Sequence, residues 1–218
     1  GLPASIGHLS LYVGLGADSR ALALPKHNIW VYPSADHDGN YARAVRDPDA
    51  PIAGAFLSFA SARDPDFERR HPGHATAEVV TFGSADAFAA WRDTQWNKRG
   101  DDYEAYKKTL SDRLLEVLFA QLPQLRGRVL HAELSTPLST QHFTGHPNGA
   151  IYGLGHGPAR FDARWLRPQT EIPGLWLTGA DVCSCGVTGA LMGGVLCASA
   201  MLGRNLISVA MRGAQSVH

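Results

Sequence analysis

From Val182 to Gly203 the chain carries no Asp, Glu, Lys or Arg, and Asp181 and Arg204 bound this uncharged stretch. A run of that kind has few places to go. It can be buried in a core, lie against a ligand, or cross a bilayer, which takes about 20 mainly apolar residues. Four glycines, Gly186, Gly189, Gly193 and Gly194, break up its apolar surface, and its first third, Val182 to Gly189, is polar and turn-prone. No aromatic belt stands beside Asp181 or Arg204 of the kind that anchors a span at the membrane interface. These flanks favour a glycine-faced helix, whose backbone something flat or bulky approaches closely, over a membrane span.

The residues leading into that helix sharpen the reading. The apolar run Leu175-Trp176-Leu177 reads as a strand that stops at Thr178-Gly179; a carboxylate follows at Asp181, then Cys183-Ser184-Cys185, and the helix begins at Gly186. Strand, turn and helix follow in order, and the helix start is left bare. Its free N–H groups and the positive end of its dipole favour an anionic or carbonyl-rich ligand. An ordinary core helix packed through glycines accounts for Gly193-Gly194 but not for the Thr-Gly-Ala-Asp that precedes it.

The first part of the chain reads as strands. Leu9, Leu11 and Val13 alternate with His8, Ser10 and Tyr12, the period of a half-buried strand. Asn28 to Tyr32, Phe56 to Phe59 and Glu78 to Phe82 are further strand candidates, separated by loops rich in Asp, Gly and Pro such as Ser34 to Asn40 and Arg46 to Pro51. Ser84 can cap a short helix through Trp91. Asp101 or Asp102 can cap a longer one in which Tyr103, Tyr106, Leu110, Leu114, Val117 and Leu118 recur at helical spacing until Pro123 closes it. Leu130, Ala132 and Leu134 mark one more strand. This order predicts an antiparallel sheet with helices on one side, an α+β arrangement.

Ser135 to Phe161 is different in kind. Glycines at 145, 149, 153, 155 and 157 and prolines at 137, 147 and 158 exclude a long helix or strand, so the segment reads as a loop that is either surface or the wall of a site. His142 and His146 are four apart, but Gly145 and Pro147 argue against a helix turning both toward one metal, and no metal site is assigned.

Composition excludes some partners. With 20 basic and 20 acidic residues among 218, the chain has no electrostatic case for nucleic acid or an anionic membrane surface. Three cysteines, an odd number in one region, fit a reducing compartment better than a disulfide framework. Cys183-x-Cys185 lacks a second pair at ligand spacing, so these read as small buried residues beside the ligand. There is no G-x-S-x-G, and the His and acidic residues show no triad-like clustering.

Thr178-Gly179-Ala180-Asp181 followed by Gly186-Val187-Thr188-Gly189-Ala190-Leu191 resembles the flavin-contacting C-terminal segment of the FAD-dependent phytoene desaturase, carotenoid isomerase and retinol saturase family. Asn28 to Tyr32, Ser61 to His74, Arg99 to Lys107 and Ser135 to Gly153 extend the likeness over most of the chain, with the retinol saturases as the branch it most resembles. The resemblance implies an α+β to α/β fold. Residues 1–136 would be a partial substrate-binding domain, an antiparallel sheet with covering helices. Residues 137–218 would bring the last strand and helix of an incomplete Rossmann-like domain that binds FAD or NAD(P).

That domain's G-x-G-x-x-G turn is not found. Gly14-Leu15-Gly16 follows a strand without the third glycine, and Gly153-x-Gly155-x-Gly157 runs into Pro158 instead of a helix. The implied protein is therefore longer than these 218 residues, and this chain alone is expected neither to retain FAD nor to be active. A lone last strand has no parallel partner, so Leu175 to Thr178 is expected to pair differently or to leave apolar surface exposed, which invites dimerisation.

The same resemblance implies redox chemistry on an apolar conjugated polyene, carotenoid or retinoid-like, by saturation, desaturation or isomerisation, with NAD or NADP as a compatible electron source. Asp181 would accept from hydroxyls of the flavin's ribityl chain, the N–H groups of Val187 and Thr188 would face the ring's carbonyl edge, and Gly179 and Gly186 would let the ring approach. His142 and Tyr152 are the substrate-contact candidates, and no general acid or base is singled out. The expected location is cytoplasmic or peripheral to a membrane. A reading from another class stays open: a membrane-anchored or dimeric lipid-binding protein without catalysis.

Overall fold

The alternation read at Leu9, Leu11 and Val13 becomes the central strand of a five-stranded sheet. The computed structural model describes residues 1–47 and 50–215, the last three of these by backbone alone. Pro48 and Asp49 of the loop expected over Arg46 to Pro51, and Ser216 to His218 of the segment assigned to flavin contact, lie outside the described residues. The chain divides into two compact units, one of residues 7–149 and one of residues 1–6 with 150–218.

The unit of residues 7–149 is built on strands β1 (Gly7–Leu15), β2 (Ile29–Val31), β3 (Ala55–Ser58), β4 (Ala75–Gly83) and β5 (Val129–Ser135). They lie in the order β2-β3-β4-β1-β5, every pair antiparallel. The pairings Leu11↔Val79 and Leu11↔Leu134 put large apolar side chains on the same face, and Leu11, Leu15, Leu57, Val79 and Leu134 are fully buried there. Helix α4 (Asp101–Gln121) covers this face, because Leu110, Leu114 and Leu118 recur every fourth residue and form one stripe. Each fully buried leucine contributes about 1.5–3 kcal/mol by leaving water. On the other face Tyr12 and Phe82 remain exposed. The expected antiparallel sheet is thus found, with α4 over one face, while Tyr41 of the helix His37–Arg46 meets the Phe82 ring at 5.5 Å.

Several local expectations are corrected. Neither Asp101 nor Asp102 caps α4: Gly100 occupies the cap position at φ +91°, with no side chain accepting a hydrogen bond there. Both aspartates fall in the first turn, where their charge favours the positive helix end instead. Ser84 does cap the segment Ala85–Trp91, accepting the Asp86 N–H at 3.2 Å, but that segment is a 3₁₀ helix. Helix α1 (His37–Arg46) begins inside the loop expected over Ser34 to Asn40, started by Asp36, whose carboxylate accepts the Gly39 N–H at 2.9 Å. Two single-turn helices, α2 (Ala60–Arg63) and α3 (Phe67–Arg70), follow β3. Helix α5 (Pro137–Thr144) opens the region read as loop, with a reciprocal Thr136–Ser139 cap and proline at its first position. It ends at Gly145 in the left-handed region, so His142 is helical and His146 is not.

In the other unit the N-terminal residues run antiparallel beside the glycine loop: the Ser5 N–H donates to Gly153 O at 2.7 Å and the Gly155 N–H to Pro3 O at 2.8 Å. A one-turn helix α6 (Pro158–Phe161) follows Gly157, so Pro158 opens a short helix where none was expected. Proline at a first helical position is favoured, since its missing N–H has no partner to lose. The strand expected at Leu175 to Leu177 is reduced to a bridge between Gln169 and Trp176, with the Leu177 N–H donating to Pro168 O at 2.8 Å. Leu175 and Leu177 stay exposed, so the segment both pairs differently and leaves apolar surface bare. Helix α7 (Gly186–Leu202) ends at Gly203, also left-handed, and α8 (Ile207–Gln215) follows. Among the described residues no helix is long and apolar enough to cross a membrane.

Candidate functional site

Two of the four glycines in α7 are spent on the chain's own backbone. A Cβ on Gly193 would overlap the carbonyl of Gly179, and one on Gly189 would overlap that of Ser184, so the turn from 179 to 184 lies flat against the helix. Gly189, Gly193 and Cys197 form the buried face of α7. The close approach inferred from the glycines is real, but at these two positions it is made by polypeptide. Gly186 and Gly194 differ, since nothing lies within 4 Å of where their Cβ atoms would stand.

The helix start is bare as expected. Cys185 occupies the cap position in extended conformation, and no side chain accepts from the first turn. Gly186 has φ +81°, a conformation that glycine adopts without strain. Val187 is 87% exposed, and Thr188 is exposed beside it. The first N–H groups of this 17-residue helix are therefore approachable without side-chain obstruction at Gly186. Cys183 and Cys185, expected to be buried, are half-buried; only Cys197 of the three is in the core. Among the described residues no group of three or more His, Cys, Asp or Glu side chains could hold a metal ion.

Asp181 sits in a 3₁₀ turn, Ala180–Val182, entered through Gly179 at φ +96°. Its Oδ1 accepts the Leu154 N–H at 2.9 Å, while the side chain remains 52% exposed. Gly153, at φ +66°, is required for this contact, because a Cβ there would collide with the Asp181 carboxylate. Beneath lies Arg160, its side chain 2% exposed. It donates to Leu154 O at 3.1 Å, to Ala180 O at 2.6 Å and to Asp181 O at 3.0 Å, and stands 3.9 Å from Asp181 Oδ1. An arginine so buried requires such partners, since an uncompensated charge away from water is strongly unfavourable.

Nothing in the sequence pattern singles out Arg160. Its position two residues past Pro158 is legible, its inward direction is not.

Tyr152 belongs to this neighbourhood. Its N–H donates to Ser5 Oγ at 2.9 Å, it directly precedes the Gly153-Leu154 pair that meets Asp181, and its ring is exposed. His156 lies 6.5 Å from the Tyr152 ring, with a buried Nε2 that has no hydrogen-bond partner among the described residues. His142 belongs to the other unit, where its ring stacks on Trp96 at 5.2 Å and an interplanar angle of 8°. The residues assigned to cofactor contact, Gly179, Asp181, Gly186, Val187 and Thr188, thus share one unit with Tyr152, and His142 does not.

No protein-family model matches the chain. Over 210 residues, 93% of its length, it is 37% identical to the all-trans-retinol 13,14-reductase of Macaca fascicularis, of which it covers 34%. The human all-trans-retinol 13,14-reductase is 36% identical over the same shares. An inactive all-trans-retinol 13,14-reductase of Danio rerio is 28% identical over 92% of the chain and 34% of its own length. The chain spans about a third of the length of the curated relatives it matches. Identity at this level along nearly the whole chain bears out the resemblance first seen around Asp181: over that third of their length, the chain is similar to the all-trans-retinol 13,14-reductases, the retinol saturases.

Proposed function

We propose that this chain forms part of an FAD-dependent oxidoreductase that acts on an apolar conjugated polyene of the retinoid kind, and that it is inactive alone. The observation that carries the reading is the uncapped start of α7, open at Gly186 and set beyond Asp181, in a chain whose relatives are named as retinol reductases. The donor set fits a flavin: unobstructed helical N–H groups suit an electron-rich carbonyl edge, and an exposed carboxylate suits a hydroxylated chain.

The bound flavin would supply hydride transfer to or from the polyene. The protein's part is positional and electrostatic. The N–H groups of Val187 and Thr188, at the positive end of the α7 dipole, favour negative charge placed before them. The Asp181 carboxylate accepts from hydroxyl donors, and Gly179 and Gly186 keep the approach clear of side chains. Residues 1–136 would contribute the substrate-binding part and 137–218 the flavin-contacting, Rossmann-like part, with Tyr152 and His142 against the substrate. NAD or NADP fits as the electron source, and contact with a membrane is peripheral.

The test is to purify the natural full-length polypeptide carrying this sequence, measure its flavin, and offer all-trans-retinol under reducing, oxygen-free conditions. The reading expects bound FAD and a retinoid product altered at its conjugated chain. A colourless protein that takes up no FAD would refute it.

A second reading, a dimeric lipid-binding protein without catalysis, draws on the exposed Leu175, Leu177, Val187 and Leu191 and on the relative named inactive. It predicts a stable, flavin-free homodimer.

A further inference from the structure

We infer that Arg160 is the positioning residue for the Asp181 carboxylate and, through it, for the start of α7. The inference rests on the reading of Asp181 as a flavin-side residue, but the clamp itself stands on geometry alone. The Arg160 guanidinium joins two segments distant in sequence: one bond reaches Leu154 O in the glycine loop, and two reach the carbonyls of Ala180 and Asp181. The Leu154 N–H closes the circuit from the opposite side by donating to Asp181 Oδ1. Leu154 is therefore held by its carbonyl to Arg160 and by its N–H to Asp181, while Asp181 is held by its own carbonyl and by one carboxylate oxygen.

This arrangement divides the work of one carboxylate. Oδ1 is committed to the interior, next to the buried guanidinium at 3.9 Å. Oδ2 is left to a ligand, on a side chain half open to solvent. A free aspartate in a turn would sample several rotamers and lose side-chain entropy on meeting a ligand; one fastened by Oδ1 has lost that freedom already. Gly153 belongs to the same device, because only a residue without Cβ lets the loop come this near the carboxylate. The clamp also fixes Gly179 and Ala180, the segment whose carbonyl lies on Gly193, so that the entry to α7 is anchored from both sides.

Arg160 thus acts through Asp181, and its removal should mimic a loss of aligned carboxylate rather than a loss of direct contact. The experiment compares Arg160→Gln, Arg160→Lys, Asp181→Ala and the Arg160→Gln/Asp181→Ala double variant by two readouts. In the natural full-length polypeptide freed of cofactor, limited proteolysis reports cleavage within residues 150–160. In the natural full-length polypeptide, titration with FAD gives the dissociation constant. Arg160→Gln should open the 150–160 loop to protease and weaken FAD by about tenfold or more, the scale of losing hydrogen bonds made by a charged group. Arg160→Lys, which keeps the charge but not the fork that reaches several carbonyls, should recover part of both effects. The double variant should bind FAD no more weakly than the weaker single variant, because both changes break one circuit.

Wild-type loop protection and FAD affinity in Arg160→Gln would overturn the inference, as would FAD losses that simply add in the double variant. If the wild type itself binds no FAD, the flavin reading fails, and the proteolysis comparison still decides whether the clamp exists.

Discussion

Alanine at Gly193, compared with alanine at Gly194, separates two explanations of the glycines in α7. In a solvent-exposed helix interior, Gly→Ala stabilises by about 1 kcal/mol, because alanine loses less backbone entropy on folding. At Gly194 nothing lies within 4 Å of the added methyl group, so Gly194→Ala should show that gain in full. At Gly193 the methyl group meets the carbonyl of Gly179, a backbone atom in a turn held by Arg160, which cannot step aside as a flexible side chain would. Overpacking of that kind costs about 1–3 kcal/mol, more than the propensity gain, so Gly193→Ala should be destabilising on balance. The propensity gain is common to both sites, so the two neighbouring substitutions then differ by the overpacking cost, about 1–3 kcal/mol. Urea unfolding followed by circular dichroism, with the midpoint compared at constant slope, measures this difference. Equal midpoints for the two variants would refute the close approach of the 179–184 turn to α7. A loss of FAD on Gly194→Ala without loss of stability would show instead that the open side of the helix is the one a ligand covers.

Asp181→Ala should reduce stability as well as FAD retention, because it leaves the Leu154 N–H without its acceptor and Arg160 without its nearest carboxylate; Asp181→Asn, which keeps an oxygen acceptor, should remain closer to wild type in thermal unfolding. Leu114→Ala, at a fully buried position where α4 crosses the sheet, should cost about 2–5 kcal/mol by chemical denaturation, and a cost under about 1 kcal/mol would contradict its place in the core. Burial lowers the pKa of His8, whose Nδ1 has no partner among the described residues, below the ordinary histidine value. The unfolded chain therefore takes up the proton first as pH falls, so the contribution to stability is whole above the unfolded pKa of about 6.5 and is lost between that value and the lower folded one. Replacing His8 with Gln should flatten the stability profile over that interval, and an unchanged slope would exclude His8 as its source.

What the sequence determined by itself was periodic or local. Alternation at Leu9, Leu11 and Val13 gave a strand, and the four-residue recurrence of Leu110, Leu114 and Leu118 gave the helix that covers the sheet, because both patterns repeat within a few residues and burial follows from them. The bare start of α7 was legible for the same reason, since it depends on which residues stand at positions 185 to 188. Start signals that compete within two or three residues were not resolved: Gly100, not Asp101 or Asp102, stands at the cap of α4, and Asp36 opens a helix inside a loop-like composition.

Tertiary structure alone decided what the glycines of α7 face and what Asp181 holds. Gly189 and Gly193 receive backbone from Ser184 and Gly179, while Gly186 and Gly194 are open, a distinction invisible in four identical residues. Arg160 turns inward because carbonyls from two distant segments converge around it, and no local pattern encodes that convergence. The physical reason is range: hydrophobic period and capping are settled over a few residues, whereas the satisfaction of a buried charge depends on whichever parts of the chain the fold brings to it.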